Sequence, residues 1–320
     1  MSGLPFNLPA ALFIVVHIPP NSCSALPTIL SRAGPLPTTH AVDGEAIQQG
    51  CTYSACPDHH LVIQHQYVRV THGPKENRFF PEIDVLFRSA AYAYGPRVIG
   101  MILSGQLDDG TAGLWAVKDR GGLAIVQEPD EALYSSMLFS AMQHVTVDNC
   151  LALAKIAPLL EHLVGQPAAQ EAAYPVSKVL EVETGIALEA KALESGLKQL
   201  GQLSPYTCPE CHGVLLQLQD GGIMRFRCHT GHAFSAKSLL ADMREEIEQT
   251  LWSTVRGLEG NILLLQHLAR HAEERNDHAT ATSIRQKLQH VVQHMDRVRQ
   301  VTIGYEQLDT DPLHPEPDAD

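Results

Sequence analysis

Residues 97–114, RVIGMILSGQLDDGTAGL, constrain the fold more than any other stretch of this chain. An unbroken apolar run over residues 98–103 is followed by Ser104-Gly105, by the paired acids Asp108-Asp109 and by a helix-like segment. Apolar runs of this kind are typical of strands that are buried on both faces of a parallel sheet. Such sheets place their chemistry at the carboxyl ends of the strands, where both acids would lie. The alternative role of these acids is to cap the following helix.

The order of the surrounding patterns predicts a doubly wound α/β fold with a mostly parallel sheet. The run AALFIVVH over residues 10–17 predicts a strand that ends at His17. His17 would leave the sheet at the same edge as Asp109 if the two strands are parallel neighbours; otherwise it is an ordinary boundary residue. The further expected elements are helices over residues 24–33, 81–94, 111–120 and 151–164, and strands within residues 50–63 and over residues 123–126.

Composition excludes several classes of protein. The 320 residues can support one large domain and a smaller one, and 44% hydrophobic residues can build a core. A net charge of −13 argues against binding of nucleic acid or of an anionic membrane surface. We expect no membrane insertion, because no apolar run is long enough to cross a bilayer. Seven cysteines do not suggest a disulfide framework, so we expect a cytoplasmic protein.

A second chemical feature lies in residues 207–234. Cys208 and Cys211 form a CxxC turn, and Cys228 with His232 returns after a hairpin that turns at residues 220–222. Two such pairs are what a tetrahedral Zn²⁺ ion requires, and four protein ligands indicate a structural site. The alternatives are a free CxxC redox pair, or His212 or His229 as the histidine ligand. The sequence gives little support for binding of nucleic acid by this segment, because its only Lys or Arg residues are Arg225 and Arg227.

The chain therefore divides into five predicted segments. The apolar stripes after residue 235 have steps of three and four and predict a helical hairpin that packs on itself or self-associates. The acidic, Pro-rich tail is expected to be disordered. The segments are an α/β domain over residues 1–165, a partly helical linker over 166–205, a zinc-ribbon-like module over 206–234, a helical hairpin over 235–308 and the tail over 309–320.

Several motifs of the first segment resemble the catalytic domain of CheB, the chemotaxis protein-glutamate methylesterase. These are HIPPNSCSALPTILSRAG from His17, YSACPDHHLVI from Tyr53, PEIDVLFRSAA from Pro81 and LSGQLDDGTAGL from Leu103. The resemblance implies a Ser-His-Asp hydrolase on a doubly wound sheet, which removes methyl esters from glutamates of a methylated chemoreceptor without a catalytic cofactor. It also implies that His17 is the general base and that Asp109 is the acid that orients it. The CPEC…RFRCHTGHAFS segment is similar to a C-terminal extension of some stand-alone relatives.

The sequence also departs from this family. The family's nucleophilic serine lies in a Gly-rich turn after a first strand, whereas residues 1–5 resemble the end of the helix that follows that turn. Glu82 stands where a small polar residue is usual, and Gln106-Leu107 replaces Met-Gly. None of Ser2, Ser22, Ser24, Ser104, Ser135 and Ser136 lies in the matching turn.

We therefore expect a sheet without its first strand and doubtful activity for these 320 residues. Either the gene model starts too late or the protein is a truncated form. The alternative function is a non-catalytic signalling adaptor that binds a partner through the zinc module and the helices.

Overall fold

The computed structural model describes residues 1–21, 24–189 and 196–309. The chain forms two compact units, Met1–Leu239 and Leu240–Asp320. The first unit contains the α/β fold and a small antiparallel sheet, and the second contains most of a pair of long helices. Ser22, one of the serines considered above, and the adjacent Cys23 lie outside the described residues.

The N-terminal part of the first unit is built on a small parallel sheet. Strands β1 (Leu12–Ile14), β2 (Thr38–His40) and β3 (Thr52–Ser54) pair in the order β1-β3-β2, and helix α1 (Leu26–Ala33) connects β1 to β2. An antiparallel pair, β4 (His60–Gln64) and β5 (Tyr67–Thr71), follows. Tyr53, Leu61 and Val68 are buried in the core that these strands share with helix α2 (Ile83–Tyr94).

A second parallel sheet carries the acidic motif. Strands β6 (Ile99–Ile102), β7 (Leu123–Gln127) and β8 (Asn149–Leu151) pair in chain order. Helices α3 (Thr111–Asp119), α4 (Ser136–His144) and α5 (Leu153–Val164) alternate with these strands. Leu114, Val126 and Leu138 are buried in a core that also contains Phe87 of α2. Sequence patterns predicted the strand over residues 123–126 but missed β8, which is only three residues long.

The predicted α/β class with parallel strands and covering helices is confirmed, but the sheet is divided in two. β1 and β6 each lie at the edge of their own three-stranded sheet. No hydrogen-bonded ladder joins them in the part of the chain that the structure describes, so the condition that they are neighbouring strands is not met. β1 is only half-buried along its length, whereas the central strand β7 is almost fully buried, as expected for a strand covered on both faces.

Residues 166–189 and 196–205 of the segment predicted as a linker belong to the first unit. Helix α6 (Lys178–Glu189) buries Val182 and Ile186 against the C-terminal sheet, and Tyr174 packs closely on Gly121. Part of this segment is helical, and its described residues pack within the first unit. The polar composition was misleading because Glu183, in the middle of α6, is fully buried among arginines.

The predicted zinc-ribbon-like segment lies in a four-stranded antiparallel sheet. Its strands are β9 (Gln202–Thr207), β10 (Val214–Asp220), β11 (Ile223–Cys228) and β12 (Ala233–Ser235), in the order β12-β11-β10-β9. The expected hairpin is the β10–β11 turn at Gly221-Gly222, where both glycines have positive φ. The sheet is larger than the two strands expected, because β9 begins at residue 202, inside the supposed linker.

The predicted helical hairpin is present. Helices α7 (Ala236–Glu274) and α8 (His278–Asp309) are connected by a turn at residues 275–277. Val255 and Ala269 of the predicted apolar stripe are buried, and Glu259 of α7 pairs with Arg299 of α8 at 2.8 Å. Within the described ranges, no helix combines the length and the apolar character needed to cross a membrane. Residues 310–320 of the predicted tail lie outside the described residues.

A cluster of five buried charges connects the α/β part to the C-terminal sheet, and we call it the arginine-glutamate cluster. Arg227 of β11 contacts Glu76 at 2.7 Å and Glu183 at 2.9 Å. Arg88 of α2 pairs with Glu76, and Arg225 of β11 pairs with Glu183. Burial opposes ionisation of Glu183, but the three guanidinium groups hold its pKa below the usual range. Three cations and two anions are thus buried together, and removing one anion would leave cations unpaired.

We expect Glu183→Ala to lower the free energy of unfolding by about 3–5 kcal/mol, because it leaves buried arginines uncompensated. Glu181→Ala is the matched control, since Glu181 lies on the same helix but is half-exposed and pairs with the exposed Lys178. An exposed pair of this kind contributes about 0–1 kcal/mol. Urea unfolding of the two variants measures the difference. Equal losses in both would show that the cluster does not hold α6 and the C-terminal sheet in place.

Candidate active site

His17 and Asp109 form a hydrogen-bonded pair. His17 follows β1 and Asp109 follows β6, and Nε2 of His17 lies 2.6 Å from Oδ2 of Asp109. The imidazole is 26% exposed and the carboxylate 3% exposed. The ring of Phe79 stacks on the His17 ring, with centroids 4.0 Å apart and planes at 10°. The pair therefore has an accessible histidine and a buried carboxylate. This is the arrangement needed when a carboxylate orients a histidine that acts as a general base.

The carboxylate of Asp109 lies at the N-terminus of α2. Oδ2 accepts a hydrogen bond from the backbone N–H of Ile83 at 3.2 Å, and Oδ1 accepts one from Asp84 at 3.3 Å. These orphan amides and the helix dipole favour a negative charge at this position. Burial opposes ionisation of Asp109, but hydrogen bonds from His17 and Glu82 lower its pKa to about 2. Asp109 is thus poised to stay ionised beside the imidazole.

The capping alternative for the two acids is not what the structure shows. The N-cap of α3 is Gly110, with no side-chain capping bond, and the carboxylate of Asp109 instead accepts amides of α2. Gly110 has φ +81°, and a Cβ there would meet the Ile83 side chain at 2.9 Å. Asp108 turns away from His17 and accepts a hydrogen bond from Ser235 Oγ at 2.7 Å. Only one of the paired acids therefore contacts the histidine.

Two further carboxyl groups surround Asp109, and the sequence motifs did not assign them to the site. Carboxyl oxygens of Glu82, Asp84 and Asp109 lie within 4.8 Å of one another. Glu82 caps α2 by accepting the N–H of Val85 at 2.8 Å, and Asp84 accepts the N–H of Gly113. The signal for them was the Pro81-Glu82-Ile83-Asp84 helix start, which puts acids beside the first amides of α2.

The three carboxyl groups, which we call the acid cluster, must share at least one proton. Burial, the charge of Asp109 and that of Asp84 raise the pKa of Glu82 well above the usual range. Burial and the charge of Asp109 also raise the pKa of Asp84 to about 7. Since Glu82 and Asp109 are hydrogen-bonded through their side chains, one of them carries a proton, and the pKa directions place it on Glu82.

Three of the described serines named above have side-chain partners other than His17. Ser24 Oγ accepts the N–H of Leu26, Ser104 Oγ donates to the carbonyl of Tyr134, and Ser136 Oγ donates to that of Gly105. No hydrogen bond joins His17 to a serine hydroxyl within residues 1–21, 24–189 and 196–309. Because Nε2 is bonded to Asp109, Nδ1 is the nitrogen that remains for a nucleophile. The catalytic roles of His17 and Asp109 stay a prediction.

The predicted metal ligands lie together at one end of the C-terminal sheet. The Sγ atoms of Cys208, Cys211 and Cys228 and Nδ1 of His232 all lie within 4.8 Å of one another. Cys211 Sγ is 3.6 Å from Cys228 Sγ, and His232 Nδ1 is 3.6 Å from both Cys208 and Cys228. The rival histidines His212 and His229 are not part of this group, which was found among the described residues.

Comparison with known proteins identifies the family of the first half of the chain. A family model described as CheB methylesterase matches residues 1–160. A protein of Leptospira interrogans named protein-glutamate methylesterase/protein-glutamine glutaminase is 37% identical over 161 residues, which cover 50% of this chain and 83% of that protein. A Methanosarcina mazei protein with the same activities in its name is 31% identical over 172 residues, 51% of this chain and 47% of the relative. The chain thus spans about half the length of this second relative.

Among solved structures, the catalytic domain of Thermotoga maritima CheB methylesterase is 31% identical to this chain, with a TM-score of 0.49. The match covers 50% of this chain and 87% of that domain. The family match ends at residue 160, before α6 and the strands β9–β12 begin.

The acid cluster predicts how stability depends on pH. Because the folded-state pKa of Glu82 is raised, its stabilising effect is complete below the unfolded pKa of about 4.3 and is lost as pH rises toward the folded pKa. The glutamine of Glu82→Gln does not titrate. The free energy of unfolding of the wild type should therefore fall by about 1.4 kcal/mol per pH unit relative to this variant in that window. Urea unfolding at pH 5, 6.5 and 8 measures the difference. Glu181→Gln should follow the wild-type profile, and a Glu82→Gln profile parallel to wild type would contradict the assignment.

Proposed function

Because the chain belongs to the CheB methylesterase family, we propose that residues 1–165 provide the histidine and aspartate of a protein-glutamate methylesterase site. The observation that carries the proposal is the 2.6 Å hydrogen bond between Nε2 of the accessible His17 and Oδ2 of the buried Asp109. The substrate class is a glutamyl methyl ester of a methylated chemoreceptor, and the products are glutamate and methanol.

In this reaction Nδ1 of His17 takes the proton of a serine hydroxyl, whose oxygen attacks the ester carbonyl carbon. The tetrahedral intermediate expels the methoxy group, which leaves as methanol with the proton held by His17. Water then attacks the acyl-enzyme, again with His17 as base, and releases glutamate and the serine. Asp109 stabilises the imidazolium formed between these steps, and its low pKa keeps it ionised throughout.

The nucleophile of this proposal lies on a segment outside the described residues. The serines considered above that the structure describes either bond to other groups or lie outside the family's turn. The hydrogen-bond partner of His17 is Asp109, not a serine. The half-buried edge strands β1 and β6, which lead to His17 and Asp109, leave an edge of each sheet for a further strand. A strand that carries the serine turn would bring it to this edge.

The second candidate is a non-catalytic signalling adaptor, favoured by the same lack of a serine at His17 in the described ranges. In that function the C-terminal sheet and the helices α7 and α8 bind a partner or a second copy, and the His17–Asp109 pair is a remnant. Exposed Leu263, Leu264 and Leu268 on α7 would supply apolar contacts.

Methanol release from methylated receptor distinguishes the two functions. The test protein is the full chain fused to the segment of the L. interrogans relative that carries the family's strand and serine turn. We expect the fusion to release methanol and His17→Ala to lower the rate by about 10³-fold or more, because the base acts on the covalent route. His72→Ala, an exposed histidine, serves as the control.

A folded fusion that releases no methanol would favour the adaptor. Release by the unfused 320 residues at the rate of a relative, abolished by His17→Ala, would show that the nucleophile lies within the chain.

We also propose that Cys208, Cys211, Cys228 and His232 hold a structural Zn²⁺ ion. Zn–S bonds of about 2.3 Å in a tetrahedral site give neighbouring sulfurs a separation of about 3.8 Å, close to the contacts among these residues. The observed Cys211–Cys228 distance is 3.6 Å. Four protein ligands leave no open position, so the ion would stabilise the sheet and take no part in catalysis.

We expect about one zinc ion per purified chain, and its loss in Cys211→Ser because one of four ligands is removed. Elemental analysis by mass spectrometry gives the stoichiometry. Cys150→Ser is the control, since Cys150 is an exposed free thiol on β8. Equal zinc content in the two variants would overturn the site.

A further inference from the structure

One short loop contacts both the C-terminal sheet and the His17–Asp109 pair. Residues 75–79, which we call the bridging loop, run alongside β12. The N–H of Ala233 donates to the carbonyl of Lys75 at 3.1 Å, and the N–H of Asn77 donates to the carbonyl of Ala233 at 2.8 Å. Glu76, in the same loop, is held by Arg227 of β11. The loop is therefore paired, by backbone and by charge, with a sheet that lies outside the family match.

The other side of the bridging loop faces the candidate active site. Nδ2 of Asn77 donates to Oε1 of Glu82 at 2.7 Å and to Oδ2 of Asp84 at 3.3 Å. Two residues further on, the ring of Phe79 stacks on the His17 ring at 4.0 Å. The loop thus contacts the acid cluster through an amide and the base through an aromatic ring.

The side chain of Asn77 joins the two sides directly. It is 5% exposed, and its Oδ1 accepts the backbone N–H of Ser235 at 2.8 Å and the hydroxyl of Ser238 at 2.9 Å. The amide oxygen of Asn77 thus accepts hydrogen bonds from the C-terminal segment, and the amide N–H groups donate to the acid cluster. An asparagine with all of its groups occupied in this way specifies a single orientation.

The backbone of the bridging loop needs these contacts. Asn77 has φ +46° and Arg78 has φ +80°, both in the left-handed region. Asparagine tolerates this region, but an arginine does not adopt it readily, so surrounding interactions must hold it there. If the contacts with β12 and Ser238 were lost, the loop would relax toward negative φ and move Asn77 and Phe79 away from the acid cluster and from His17.

The geometry points to Asn77 as a positioning residue that makes the His17–Asp109 pair depend on the docked C-terminal sheet. Asn77 touches neither substrate nor the reacting atoms; it acts through Glu82, which is bonded to Asp109, and through the loop that carries Phe79. The inference rests on the proposed function of the pair. It assigns the C-terminal sheet a role in the active site that the match over residues 1–160 does not contain.

The ring N–H of His17 that bonds Asp109 reports on the pair directly. In the full chain it should give a downfield proton resonance by NMR, identified by its loss in His17→Gln. We expect Asn77→Ala to remove this resonance, or to speed its exchange with water by about tenfold or more, as the loss of a buried hydrogen-bond partner implies. Asn149→Ala, on β8, is the control for an asparagine truncation away from the loop.

A second pair of variants tests the link from the side of the C-terminal segment. Ser238→Ala removes one hydroxyl at the start of α7 that donates to Asn77, and Ser204→Ala removes a buried hydroxyl of β9 that donates to the carbonyl of Leu215 instead. We expect the first to speed exchange of the His17 proton and the second to leave it unchanged. Ser238→Thr keeps the hydroxyl and should restore the wild-type rate.

The outcomes separate the two proposals. A wild-type chain without the downfield resonance would overturn the proposed function of the His17–Asp109 pair. A resonance present in wild type and unchanged in folded Asn77→Ala and Ser238→Ala would overturn the role of Asn77 alone. If Asn77→Ala does not fold, Ser238→Ala decides the question, because it removes a single oxygen.

Discussion

The structure depends on the pairing of buried charges. Arg88, Arg225 and Arg227 meet Glu76 and Glu183 in a site from which water is excluded. Each of these charges is tolerated only because the others are present, since an isolated buried ion would be strongly destabilising. The five residues come from α2, the bridging loop, α6 and β11. Their pairing therefore makes one unit of an α/β fold and a C-terminal sheet that have separate sequence signatures.

A second set of buried ionisable groups, the acid cluster, lies next to the first. It contains carboxyl groups alone, so its charges repel one another. Glu82, Asp84 and Asp109 are close together, and their charge is offset by amides of α2 and α3, by Asn77 and His17, and by the nearby guanidinium groups of Arg88 and Arg225. The cluster responds by holding a proton on Glu82 while Asp109 remains ionised. The result is a single anion that faces the imidazole of His17, as a base-orienting acid should.

The two sets share the bridging loop. Glu76 belongs to the arginine-glutamate cluster, and its neighbour Asn77 donates to the acid cluster. Membership of the CheB methylesterase family accounts for residues 1–160, including His17 and Asp109. The distinguishing feature of this chain is that residues beyond the family match complete the environment of that pair. Without residues 202–238, Asn77 Oδ1 would lose its donors Ser235 and Ser238, and Glu76 would lose Arg225 and Arg227 and keep Arg88.

The sequence by itself determined most helices and the longer buried strands, the helical hairpin and the placement of His17 and Asp109 after strands, because apolar periodicity and strand-end motifs are local signals. Short strands such as β8 gave no such signal. Local signals also located the four ligands of the proposed zinc site, whose spacing is short. Only the tertiary structure decided that β1 and β6 belong to different sheets and that helix α6 packs against the C-terminal sheet. It alone brought Asn77 and Glu82 to the pair. Polar residues such as Glu183 and Asn77 look like surface in a sequence, because their burial depends on partners up to about half a chain away, and pairing over that distance has no periodicity to reveal it.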